Sequence, residues 1–241
     1  MSRMLTICFR ELGSYFRTPA GWVITALFLF ISGVIVWLTA LTPGQPASLR
    51  AYFDLCGWML LPIAPAVTMR LIAEEMRSGT IETLLTSPVS GAELVFGKYF
   101  GACMFVGCAA APTLVYVVLL YMYADPAPDA GAIIAGYTSL VLLAALYLAI
   151  GTLCSALTNN ATLAFMMSFF TLLALLFAGV AAAMDWVPDA AKQSLYSLAV
   201  SPRVQDFAKG VVDLSHVAYF VGGAVVCLVT AVAAVELKRW R

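Results

Sequence analysis

The chain has 241 residues, 63% of them hydrophobic and only 11% charged, with 13 lysines and arginines balanced by 13 aspartates and glutamates. Soluble domains carry roughly 25% charged residues, so this balance, with a mean hydropathy of +0.95, excludes a soluble globular protein and identifies an integral membrane one. Zero net charge excludes a nucleic-acid binder, which needs a basic face to neutralise phosphates.

The first 18 residues read as a helix lying in the membrane interface, with Met4, Leu5, Cys8, Leu12, Tyr15 and Phe16 at helical spacing on one face and Arg3, Arg10 and Arg17 a heptad apart on another. They are not a cleavable signal, because a charged amphipathic segment leads into a full-length apolar run. Thr18 suits the N-cap of the next helix and Pro19 its first position. A hydrocarbon core about 30 Å thick needs about 20 apolar residues in helical form. Six stretches meet that requirement, at residues 21–41, 55–72, 99–123, 132–157, 161–184 and 216–235. Pro62 and Pro65 predict a kink in the second, and Pro112 a packing irregularity in the third. The expected fold class is all-α integral membrane, one transmembrane domain of six spans with an interfacial amino-terminal helix and a polar region at 73–98.

Orientation follows from the basic residues. With a cytoplasmic amino terminus, Arg3, Arg10, Arg17, Arg70, Arg77, Lys98, Lys238, Arg239 and Arg241 lie inside, and only Arg50, Lys192, Arg203 and Lys209 lie outside. That excess places both termini in the cytoplasm.

Between the second and third spans lies the polar insert from Glu74 to Pro88. Arg70, Glu74 and Arg77 at i, i+4 and i+7 predict that the second span continues as a charged helix past the membrane surface. Ser78-Gly79 ends it. Thr80 then caps a short helix, about Ile81 to Thr86, with Glu82 in its first turn, and Ser87-Pro88 stops it. Ser90-Gly91-Ala92-Glu93 matches a capping box that opens the third span. Ile81, Leu84 and Leu85 give the short helix an apolar side that needs a partner. Beyond the fifth span, Leu195, Leu198, Phe207, Val211 and Leu214 interleave with Arg203, Asp206, Lys209 and Asp213, which predicts short helices within 185–215 at the outer interface, placed to act as an outer gate or lid.

Enzymatic chemistry is nearly absent. His216 stands alone, and Cys8, Cys56, Cys103, Cys108, Cys154 and Cys227 are scattered through apolar segments without a C-x-x-C pair. No G-x-x-x-x-G-K-[ST] phosphate loop occurs, so hydrolysis of a nucleotide would have to belong to another subunit. An ion-coupled secondary transporter or channel is the alternative class, but such proteins place ionisable residues inside their spans and these spans carry essentially none.

The run "AEEMRSGTIETLLTSPVS" from Ala73 to Ser90 resembles the cytoplasmic coupling segment of ABC-2 type transporter permeases. "RELGSYFRTPAGWV", "PAVTMRLIAEE", "GKYFGA", "DAGAIIAGYTSLVLL", "SALTNNATLAF" and "RVQDFAKGVVDLSHVAYF" are similar to the permease associated with bacterial gliding motility. The resemblance implies a permease subunit in the inner membrane of a bacterium, paired with a second permease copy or homologue, and leaves room for an accessory extracytoplasmic protein. It implies that a separate ABC ATPase subunit binds ATP and magnesium, so that this chain holds no cofactor. By position it implies docking of that ATPase on Glu74, Glu75, Arg77, Gly79, Thr80, Ile81, Glu82, Leu84, Leu85 and Pro88, and a second, smaller contact at Asn159 and Asn160. Substrate and direction of transport are not implied.

Overall fold

The computed structural model describes residues 3–40, 48–78, 90–124, 128–184 and 188–239. Among the described residues the secondary structure is entirely helical: α1 (Arg3–Arg17), α2 (Pro19–Ala40), α3 (Arg50–Thr68), α4 (Ala73–Arg77), α5 (Gly91–Ala110), a 3-10 turn (Ala111–Thr113), α6 (Leu114–Tyr123), α7 (Ala130–Leu157), α8 (Ala161–Ala182), α9 (Asp189–Leu198), α10 (Ser201–Ala208) and α11 (Leu214–Arg239). Six helical stretches are long and apolar enough to cross a membrane: Pro19–Ala40, Arg50–Arg77, Gly91–Tyr123, Ala130–Leu157, Ala161–Ala182 and Leu214–Lys238. The second and fourth form the centre, with 67% and 72% of their apolar windows buried against 22–28% for the other four. In a bilayer an apolar surface needs no protein partner, so the four outer spans remain apolar on their exposed faces.

Several local expectations meet the structure directly. Ser90 accepts a hydrogen bond from the Glu93 amide at 3.1 Å while the Glu93 carboxylate accepts from the Ser90 amide at 3.0 Å, a reciprocal capping box that starts α5. Pro112 lies in the 3-10 turn that separates α5 from α6, where its missing N–H is tolerated.

Two expectations are corrected. Thr18 does not cap α2; its hydroxyl donates backward to the Tyr15 carbonyl at 3.0 Å, closing the end of α1 instead. The second span is interrupted after Thr68: α3 continues as one helix past Pro62 and Pro65, and the chain turns at 69–72 before α4. The charged helix expected from Arg70 to Arg77 is therefore the short α4 with Arg70 outside it, although Arg70 and Glu74 do approach to 3.9 Å.

At the end of the bundle away from the termini lie α9, which packs on α8, and α10. α10 buries Val204 and Phe207 against α3 and α7. Arg203 ties the pair together: its guanidinium donates to the carbonyls of Ala199 and, at 2.8 Å, Ser197, and it lies 3.9 Å from the centre of the Tyr219 ring. Tyr219 in turn donates to the Leu198 carbonyl at 2.6 Å, so the last carbonyls of α9 are met by side chains from α10 and α11.

Candidate functional site

The site grows from α1, which packs along the start of α5. The contact is close because Gly97 and Gly101, one helical turn apart, present bare backbone to it. A Cβ on Gly97 would stand 2.9 Å from the Ile7 Cβ, and one on Gly101 would stand 2.8 Å from the Glu11 Cβ. The buried face of α1 therefore centres on Ile7 and Cys8, while Leu5, read from periodicity as part of the apolar face, is 41% exposed. Further along, Tyr15 stacks on Phe105 with ring centres 4.6 Å apart and donates to the Val67 carbonyl at 2.8 Å. Burial, with the Glu11 charge nearby, pushes the Tyr15 phenol well above its ordinary pKa, so it stays a proton donor.

Lys98 lies between the two glycines and is only 3% exposed. A buried ammonium is tolerable only when charge and hydrogen-bond partners surround it. Here its Nζ is 2.9 Å from Glu75 and 3.7 Å from Glu11, and it donates to the Leu71 carbonyl. Arg10 adds a second cation, 3.8 Å from the same Glu75 oxygen. One cluster thus joins α1, the 69–72 turn, α4 and α5.

The turn itself is held from another direction. Ser155, near the end of α7, accepts hydrogen bonds from the amides of Ile72 and Ala73, each at 3.1 Å, and donates to the Met69 carbonyl at 3.2 Å. Close passage here is possible because Gly151 faces Thr68; a Cβ on it would fall 2.0 Å from the Thr68 hydroxyl oxygen.

The second expected contact lies beside the first. Thr158, Asn159 and Asn160 connect α7 to α8, and Asn160 caps α8 by accepting from the Thr162 amide at 2.9 Å. Lys238 at the end of α11 reaches Ala156 and Asn159 at 3.2 and 3.4 Å, and the sulfur of Met76 in α4 at 3.1 Å. An open hollow lined by Leu157, Thr158, Asn159, Asn160 and Lys238 lies at this junction.

Of the expected docking residues, Glu74, Glu75 and Arg77 belong to α4, with Glu74 and Arg77 exposed and Glu75 turned inward to Lys98. Gly79, Thr80, Ile81, Glu82, Leu84, Leu85 and Pro88 lie outside the described residues. Asn159 and Asn160 are exposed on the same end of the bundle. Glu11, Lys98, Ser155 and Lys238 were not singled out from sequence as members of one site. The small-residue spacing of Gly97 and Gly101 around Lys98 was the readable sign, since it marks a face for close helix contact.

No group of three or more histidine, cysteine, aspartate or glutamate side chains suited to a metal ion occurs among the described residues, and the six cysteines are free thiols. The arrangement offers a polar face built where α1, α4, α5, α7 and α11 meet.

Comparison with known proteins agrees with this architecture. A family model for ABC-2 family transporter proteins matches residues 56–201, which is more than half of the chain. The chain is also 30% identical over 102 residues to the probable ABC transporter permease protein NosY of Pseudomonas aeruginosa, an alignment covering 40% of this chain and 37% of that relative. Six apolar spans, the polar insert after the second, and the extent of the family match together establish that this multi-pass membrane protein belongs to the ABC-2 family of transporter proteins.

Proposed function

We propose that the protein is the permease subunit of an ATP-binding cassette transporter in a bacterial inner membrane, with both termini in the cytoplasm and a separate ATPase subunit docked on the insert between spans two and three. The observation that carries this reading is the convergence of the two polar segments: α4, with Glu74 and Arg77 exposed, meets the Asn159–Asn160 turn through Lys238 and Met76 at the end of the bundle that holds both termini. The excess of basic residues on that side supports its cytoplasmic placement. The chain carries no phosphate-binding loop, so ATP and magnesium belong to the partner, and the apolar residues Ile81, Leu84 and Leu85 of the insert supply the contact with it. A second permease subunit completes the pathway, as homodimer or heterodimer. Within the family, the reading we favour is a member of the subgroup that the quoted segments resemble, the gliding-motility-associated permeases, with no role in gliding assigned.

The test is co-purification of an ATPase subunit with the tagged permease from its native membrane. Replacing Ile81, Leu84 and Leu85 together by serine is expected to release the ATPase while the permease stays in the membrane; unchanged recovery of the ATPase sinks the docking reading. Transport that persists without ATP and collapses with an ion gradient would instead assign the chain to the ion-coupled class.

A further inference from the structure

We infer that Ser155 and Lys98 are positioning residues for the coupling segment: they hold the second span broken at residues 69–72, and their release lets α3 and α4 join into one helix. The inference rests on the docking reading above and deepens it, because it names the joint through which movement of a docked insert reaches spans three and four.

Nothing in the local sequence breaks the helix at this point. Met69-Arg70-Leu71-Ile72 contains neither glycine nor proline, and methionine, arginine and leucine are among the stronger helix formers. Met69 still has helical angles, φ −55° and ψ −31°, and its amide bonds the Pro65 carbonyl at 2.8 Å. Proline disturbs the turn before it, so Pro65 cannot account for a break that follows it. The departure comes at Ile72, with φ −121° and ψ −38°.

What the break releases, two other spans receive. The amides of Ile72 and Ala73 and the carbonyl of Met69 all go to the Ser155 hydroxyl, and the Leu71 carbonyl goes to Lys98. In a continuous helix the same amides would bond the carbonyls of Thr68 and Met69, the partners four residues back. Both arrangements satisfy these backbone groups, which is what an element with two discrete states requires. Ser155 and Lys98 stand on spans four and three, and Lys98 also grips Glu75 in α4. A pull on α4 therefore bears on both supports at once.

The experiment is amide hydrogen exchange, read by mass spectrometry over residues 69–77, in the purified permease–ATPase complex reconstituted in lipid nanodiscs. It is measured without nucleotide and with ATP plus vanadate. The expected result is a change in exchange of about tenfold or more in this segment between the two conditions, with α5 and α7 unchanged. Ser155→Ala, which removes one oxygen and adds no bulk, is expected to move the nucleotide-free pattern toward the ATP-trapped one, and Ser155→Thr, which keeps the hydroxyl, to preserve the wild-type response. Exchange that is the same with and without nucleotide in the wild type overturns the joint even if the ATPase is bound. A Ser155→Ala variant that matches wild type, or that exchanges faster along the whole chain, overturns the positioning role. Wild-type permease that brings no ATPase with it overturns the docking reading and the joint together.

Discussion

Lys98 holds its charge at 3% exposure because Glu75, Glu11 and the Leu71 carbonyl surround it. Removing the ammonium alone leaves two partly buried carboxylates without their shared counter-charge. Lys98→Met is therefore expected to destabilise the detergent-solubilised protein by about 3–5 kcal/mol. The double variant Lys98→Met with Glu75→Gln should lose clearly less, because the principal partner is neutralised too. Thermal unfolding of the three proteins gives the comparison, and a double variant less stable than the single one would show that the pair is not the unit. At the far end of the chain, the Asp213 carboxylate accepts from the Ser215 amide at 2.8 Å at the start of α11, and that bond holds its pKa below the ordinary carboxylate value. A group depressed in the folded state stabilises above its unfolded pKa of about 3.9 and loses that contribution as pH falls through the lower folded value. Protection of the Ser215 amide, corrected for intrinsic exchange, should thus be level between about pH 7 and about pH 5 and fall only in stronger acid. Asp213→Asn keeps an acceptor oxygen but does not titrate, and should remove the acid dependence.

Helix against helix, the structure depends on two small residues. Gly97 and Gly101 allow the backbone of α1 to approach α5, with the Met4 carbonyl oxygen and the Cys8 carbonyl oxygen each 3.0 Å from where a Cβ would be. Those neighbours are backbone and cannot swing aside, so Gly101→Val is expected to lift α1 from α5. Limited proteolysis should then cut within residues 3–17 at least about tenfold faster than in wild type, since local opening governs cleavage. Unchanged resistance would mean that α1 is held chiefly elsewhere. The α9–α10 pair depends in the same way on Arg203. Arg203→Ala strips the carbonyls of Ala199 and Ser197 of their donor and bares the Tyr219 ring. Faster amide exchange confined to 189–208 is the expected outcome, measured on the intact chain.

For the molecule as a whole, two central spans and four peripheral ones leave wide apolar faces, and a second permease copy or homologue is expected to cover part of them. Mass measurement of the solubilised complex should give two permease chains for two ATPase subunits, and a single permease chain with its ATPase would argue against a paired pathway. The sequence alone determined the membrane class, the six spans, the capping box at Ser90 and Glu93, and the lack of a phosphate-binding loop. These are readable because hydropathy, span length and caps are local: neighbours in the chain suffice to satisfy them. Only the tertiary structure decided that Lys98 is a buried hub, that the second span breaks after Thr68, and that α4 meets the Asn159–Asn160 turn. Each of these depends on partners far apart in sequence, Glu11 with Lys98, Ile72 with Ser155, Met76 with Lys238, and no periodicity relates such pairs. A helix made of good helix formers breaks when side chains from other helices offer its backbone an equal set of hydrogen bonds, and that offer exists only once the bundle has assembled.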